Sequence, residues 1–413
     1  MLKLSRQGKI LAFVVAGIAL MILPLGLQTA GNAWVRIADL ALLYIMLALG
    51  LNIVVGFAGL LDLGYVAFYA VGAYLFGLLA SPHLTDHFSS IASLFPDGLH
   101  FRLWMVIPLG AVLAAIAGVL LGAPTLKLRG DYLAIVTLGF GEIIRIFLNN
   151  LDAPVNVTNG PKGIGQIDPA SVMGHQLSRS ISIGGFTIES VTLYYYLFLL
   201  LVLFVVLISY RLQDSRIGRA WMAVREDEIA AKAMGLNTRN LKLLAFGMGA
   251  SFGGVAGALF AAFQGFISPE SFSFMESVMI VAMVVLGGLG HIPGVILGAV
   301  LLAAMPEALR YVAGPLNKLS DGHLDPAILR QLLIALAMIV IMLVRPRGLW
   351  PAPEHGKALE ADNEDDGGPS ATDPAARSSI VQPPTAQQNP PGVDSPADAI
   401  PGTTDVRQDT VNP

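Results

Sequence analysis

Long apolar runs separated by short polar connections set the pattern of this chain. After Lys3, Arg6 and Lys9, residues 10–27 are continuously apolar. At about 1.5 Å per residue this run reaches about 27 Å, enough to cross a thin bilayer. A signal peptide has a shorter apolar core, and Thr29-Ala30-Gly31 is a poor cleavage site, so the run reads as a retained span. Further apolar segments cover 34–55, 60–80, 103–122, 131–149, 193–210, 241–264, 276–290, 294–312 and 328–344. The pattern predicts an all-α polytopic membrane protein of about ten transmembrane helices, some of them broken or re-entrant. Breaks are expected at Gly56, Gly59 and Gly64, and again at His291-Ile292-Pro293-Gly294. Gly249, Gly253 and Gly257 repeat every fourth residue, as do Gly290, Gly294 and Gly298, which marks close helix packing.

Charge orients the spans. Threaded alternately from an inside N-terminus, the inside connections hold Lys127, Arg129, the bases of 211–242, Arg345 and Arg347. The outside connections hold fewer bases per residue, among them Arg102, Lys162 and Arg179. Both termini are therefore expected in the cytoplasm. Trp34, Trp104, Tyr194–Tyr196 and Trp350 fall at span ends, where interface aromatics belong. Composition agrees: 54% of residues are hydrophobic and only 13% charged, against about 25% charged in soluble domains. There are no cysteines, which excludes disulfides and thiolate metal sites. Residues 352–413 hold eleven acids and three bases, so the body before them carries +4 of the chain's net −4. That tail is rich in Pro, Asp, Ala and Gln, has almost no large apolar residues, and is expected to be disordered. The domains expected are a membrane-spanning body over 1–351, with a cytoplasmic loop over 211–242 inside it, and the tail over 352–413.

The loop is the only long, highly charged segment between apolar blocks. It carries seven bases and four acids, with Ile229, Ala233, Met234 and Leu236 interleaved. From Glu226 to Met234 it reads as a helix, with acids at the first turn, Lys232 near the last, and Gly235 placed for a left-handed C-cap. A short amphipathic helix there suits docking of a cytoplasmic partner; a basic loop that merely fixes topology is the alternative.

In this loop Glu228-Ile229-Ala230-Ala231 followed by Gly235 resembles the Glu-Ala-Ala…Gly motif of ABC importer permeases, with one residue intruding before the Ala pair. The run 225–245 resembles permeases of branched-chain amino acid ABC importers of the LivM/LivH type. So do the stretches 50–74, 128–146, 158–165, 284–299 and 345–351. The resemblance implies an inner-membrane permease subunit that moves branched-chain amino acids from a periplasmic binding protein into the cytoplasm. It implies two separate ATPase subunits and a second homologous permease as partners, besides the lipid bilayer, and no nucleic acid. It assigns ATPase coupling to Arg225, Glu228, Ala230, Ala231 and Gly235. Permeases of the same family for urea or short amides, and an ATP-independent transporter or channel, are the alternatives.

Other residues were weighed for chemistry. Among the few ionisable groups within the spans are Asp62, Glu142, Arg145, Glu276 and Glu307. Glu142 and Arg145 share a helix face and are expected to pair. A broken helix exposes backbone groups that can hold a zwitterion, so Asn52, Gly59, Asp62 and Gly64 are candidates for the translocation path. His83 and His87 read as an incidental surface pair in a loop. The outside loop 152–192 holds a turn at 159–163 and a hairpin pattern around Gly184-Gly185, a folded cap or lid. No phosphate-cradling loop, nucleophile elbow, zinc helix or dinucleotide fingerprint occurs, so no cofactor or metal is expected and ATP hydrolysis would lie on a partner.

Overall fold

The computed structural model describes residues 6–319, apart from 97, 127, 129, 173, 184 and 185, and then 332, 335, 336, 339, 340, 343, 344 and 348–350. The expected span over 328–344 lies mostly outside these residues, as do Arg345, Arg347 and the tail. The described chain is mostly helical: α1 (Arg6–Ala30), α2 (Asn32–Asn52), α3 (Val66–Leu79), the short α4 (His83–His87) and α5 (Ser89–Leu94), then α6 (Leu103–Thr125) and α7 (Asp131–Asn150). After two hairpins follow α8 (Ser190–Gln213), α9 (Arg216–Glu226), α10 (Glu228–Ala233), α11 (Thr238–Gln264), α12 (Phe274–Gly287) and α13 (Ile292–Leu319). Among the described residues five helices are long and apolar enough to cross a membrane: 32–57, 103–125, 190–213, 238–264 and 269–287. Shorter apolar helices cover 17–29, 66–79 and 292–308. This is a multi-pass membrane protein.

α2 and α11 form the centre. The apolar window of α2 is 89% buried, so protein rather than lipid surrounds it. α11 packs on α6, α3 and α2, and its small residues explain how. A Cβ at Gly254 would lie 2.5 Å from the Gly110 carbonyl oxygen of α6, and one at Gly249 would lie 2.8 Å from the Gly50 carbonyl oxygen of α2. At Gly257 it would overlap the Tyr69 carbonyl oxygen of α3. Without a hydrophobic drive between helices in lipid, such backbone approach supplies the packing energy. The second glycine series splits its work. Gly294 and Gly298 fit α13 against α12 at Gly287 and Met283, while Gly290 sits in the link before α13.

Both expected breaks are present. The first is a π-helical turn, Ile53–Phe57, which runs into an irregular link ending at Tyr65. The second is the tight link after Gly287, where Gly288 and Gly290 take φ of 122° and 79°. The loop over 152–192 folds as foreseen around 159–163, where Asn159, Gly160 and Gly163 all have positive φ. Its strands β3 (Ile181–Ile183) and β4 (Phe186–Ile188) pair antiparallel. A second hairpin, β1 (Ser171–Val172) with β2 (His175–Gln176), was not foreseen; strands of two residues carry no readable alternation. The loop is tied down by Ile164, bridged to Ile267, and by the Asp168 N–H donating to the Ala80 carbonyl.

Three expectations need correction. Tyr194 and Tyr195 are buried rather than interfacial. The Tyr194 hydroxyl donates to the Ala262 carbonyl and accepts from the Ala170 N–H, while Tyr195 and Tyr196 donate to Leu20 and Met21 of α1. His83 and His87 lie on α4, not in a loop. His83 is buried and its ring stacks near that of His87 at 4.4 Å. The helix expected over 226–234 is two helices, because Asp227 leaves the helical region at φ −150° and caps α10. The Glu142–Arg145 pair does form, at 2.9 Å, and Arg145 also reaches Glu270 at 3.5 Å.

Candidate coupling site

α9 and α10 are built for the place they occupy. The Ser215 hydroxyl accepts the Gly218 N–H and starts α9. Trp221, fully buried, seats α9 by donating its indole N–H to the Leu241 carbonyl at 2.7 Å. The Asp227 carboxylate accepts from the N–H groups of Ile229 and Ala230 at 2.8 and 3.0 Å, the preferred cap for a helix start. At the other end the Gly235 N–H reaches the Lys232 carbonyl and the Leu236 N–H reaches the Ala231 carbonyl. With φ of 85° at Gly235, that pair of bonds is a Schellman closure. A six-residue helix is too short to hold by itself; here both ends are capped.

The faces of α10 are now distinguishable. Ala231 is 5% exposed and turned into the protein. Glu228 is engaged from within by Lys242 of α11 at 2.7 Å, and the Lys242 side chain is itself buried. Ala230 is exposed, and so are Ile229 at 71% and Met234 at 84%. Ile229 on α10 and Met234 at its C-cap are thus two large apolar side chains turned outward at this capped helix. The sequence reading named Glu228 and Ala231 for coupling and passed over Ile229 and Met234. Five residues apart, they share no helical face by spacing, and Met234 falls just past the end of α10, so their common exposure could not be read from the sequence.

Arg225 points the other way. Its guanidinium Nη1 donates to the carbonyl of Gly56 in the π-turn. Its stem lies along Gly59, where a Cβ would stand 2.7 Å from Arg225 Cγ. Asn52 joins the same cluster by accepting the Gly290 N–H at 2.9 Å. So Asn52, Gly59 and Arg225 meet, although two were expected on the path and one at the partner. Asp62 and Gly64 lie apart from them, against α7. Asp62 is buried; one oxygen accepts the Gly64 N–H at 2.9 Å and the other has no hydrogen-bond partner among the described residues. A Cβ at Gly64 would overlap the Thr137 carbonyl oxygen. The adjacent Leu63 is held by Thr137 and Ser277 hydroxyls. Between the link and the α9–α10 junction opens a cleft of about 420 Å³, walled by Gly59, Leu61, Asp131, Arg225, Glu228 and Lys242 among others. Asp39 was missed altogether: it is buried in α2 with neither carboxylate oxygen hydrogen-bonded among the described residues.

Residues 34–343 match the family described as branched-chain amino acid transport system, permease component. The chain is 45% identical over 329 residues to the high-affinity branched-chain amino acid transport system permease protein LivM of Escherichia coli, covering 77% of this chain and 70% of that one. It is 28% identical over 322 residues to LivH of the same organism, covering 75% and 92%. To BraD of Pseudomonas aeruginosa it is 26% identical over 321 residues, covering 75% and 92%. No solved structure matches.

Proposed function

The chain belongs to the branched-chain amino acid transport permease family, and we propose that it is the membrane-spanning subunit of an ABC importer for branched-chain amino acids. Permeases of this family are not enzymes, and ATP is hydrolysed on separate subunits. The similarity to a LivM over most of both chains carries the substrate assignment. The capped α10, with Ile229, Ala230 and Met234 outward, supports the coupling role and makes that face the ATPase seat. Glu228, Ala231 and Gly235 serve it by fixing α10 from behind and at its end, while Arg225 serves it by tying the preceding α9 to the Gly56 carbonyl of the bundle.

The assembly we propose has two ATPase subunits, a second homologous permease paired with this chain, and a periplasmic binding protein docking over the 152–192 loop. It sits in the inner membrane with ten spans over 1–351 and both termini in the cytoplasm, and the tail over 352–413 stands outside the transport machinery. The path follows the broken end of α2, by Asn52, Gly59, Asp62 and Gly64; the unpaired Asp62 oxygen supports this. The test is uptake of labelled leucine into vesicles holding the reconstituted complex, with ATP inside and urea and short amides as competitors. Leucine uptake that needs ATP and resists those competitors is the expected result. Uptake without ATP, or displacement by urea, refutes the assignment.

A further inference from the structure

Resting on the importer reading, we infer that Arg225 is a positioning residue that latches the broken end of α2 to the coupling helix, rather than a contact for the ATPase. Four observations meet at one point. The helical ladder of α2 ends at Phe57, and the Leu60 N–H goes back to the Val54 carbonyl, which leaves the Gly56 carbonyl facing outward at a helix C-terminus. A guanidinium is the group that such a carbonyl, at the negative end of a helix dipole, attracts most. Arg225 supplies it.

Glycine makes the space on both sides. Gly59 has φ of 69° and Gly290 of 79°, and a Cβ on Gly290 would lie 3.0 Å from Arg225 Nη1 and 3.2 Å from the Gly56 carbonyl oxygen. Gly290 is held in place by its N–H bond to Asn52 Oδ1 at 2.9 Å. One side chain thus joins the π-turn of α2, the link after it and the α12–α13 link, which are the two broken places in the bundle. That side chain stands three residues before Glu228, the first residue of α10, and the buried Trp221 seats α9, the helix that carries it.

The latch can open. Arg225 is exposed along the cleft of about 420 Å³, so its guanidinium can withdraw without unpacking a core. Movement of α10 by the ATPase would draw Arg225 off Gly56, and the end of α2 and the α12–α13 link would then be held in this cluster by the Asn52–Gly290 bond without the arginine.

Three variants test it in the full chain: Arg225→Ala, Arg225→Lys and Gly290→Ala. In the isolated permease, amide exchange over 53–60 should rise in Arg225→Ala and Gly290→Ala and rise less in Arg225→Lys. In the reconstituted importer, ATPase association should be unchanged while ATP consumed per leucine imported rises roughly three- to tenfold, the scale of single-residue coupling changes. Gly290→Ala keeps the arginine and disturbs only its seat, so it reports the latch even if Arg225→Ala is poorly produced. Unchanged exchange over 53–60 in both variants overturns the latch, whatever transport does. Loss of ATPase binding by Arg225→Ala, with exchange unchanged, places Arg225 at the partner instead. A wild-type complex without ATP-driven uptake would refute the importer reading and leave the exchange result standing.

Discussion

At residue scale the coupling loop turns on which way each side chain faces. Gly235 has φ of 85° and open space where a Cβ would be. Replacing it with Ala therefore costs about 1 kcal/mol of left-handed strain and nothing in clash. Gly235→Trp adds bulk on the outer side of α10. We expect normal membrane abundance and weakened ATPase co-purification, mild for Ala and severe for Trp; full association by both would remove Gly235 from the coupling site. Ala231 behaves differently because it is buried. Ala231→Trp should lower abundance and melting temperature before any docking defect can be read. The clean probes are Ile229→Ala and Met234→Ala, whose side chains touch water now. Each should weaken ATPase binding and leave thermal stability as it was. If neither shifts association, the exposed face of α10 is not the seat. Gly235 was legible because a glycine after a short amphipathic run has one strong conformational reason to be there. The partners of Glu228 and Arg225 were not, because Lys242 and Gly56 are brought to them only by tertiary packing.

At the scale of elements, glycine and polar interruptions announced where helices break, and the structure has both breaks. What a one-dimensional pattern could not say is that the two breaks touch each other and receive Arg225. The hairpin β3–β4 was legible from alternation, whereas α4 was not: five residues give no period. α4 carries its own prediction. His83 is buried against His87, and both burial and the neighbouring His87 hold its charged form down, so it titrates below the ordinary 6.5; the Val157 backbone and Asp86 pull weakly the other way. The folded value is the depressed one. Stability from His83 is thus present above pH 6.5 and lost as pH falls through the folded value. Asn156, bonded to the ring of His87 at 3.1 Å, would be disturbed with it. Amide exchange over 83–94, taken relative to the intrinsic rate at each pH, should rise on acidification below about pH 6.5. His83→Gln should flatten that rise, and an identical pH profile in the variant would show that another group is responsible.

For the whole molecule the open question is how the described helices thread the membrane. Alternation from an inside N-terminus puts the connection carrying Lys162 and Arg179 outside and the connection carrying α9 and α10 inside. The structure supplies a reason for that arrangement to be all-or-none. α8 joins the two connections in a single helix of 24 residues without a proline, so they must emerge at opposite ends of it. The charge count then favours one end: Arg211 lies in the last turn of α8 and six bases follow it up to Lys242, and positive loops tend to stay inside. The tail cannot influence this choice, since it lies beyond the last apolar segment and is acidic, and acids weigh little in orientation. A phosphatase fused after Lys162 should be active and one fused after Lys242 or Arg347 inactive, with a cytoplasmic reporter giving the reverse. Truncation after Pro353 should leave every one of these signals, and leucine uptake, unchanged. Reporters at 162 and 242 on the same side would break the alternation across α8 itself and with it the ten-span arrangement. Opposite sides in the inverted sense would keep the helices and move α10 away from any cytoplasmic ATPase, so this one pair of fusions decides whether the coupling surface can meet its partner at all.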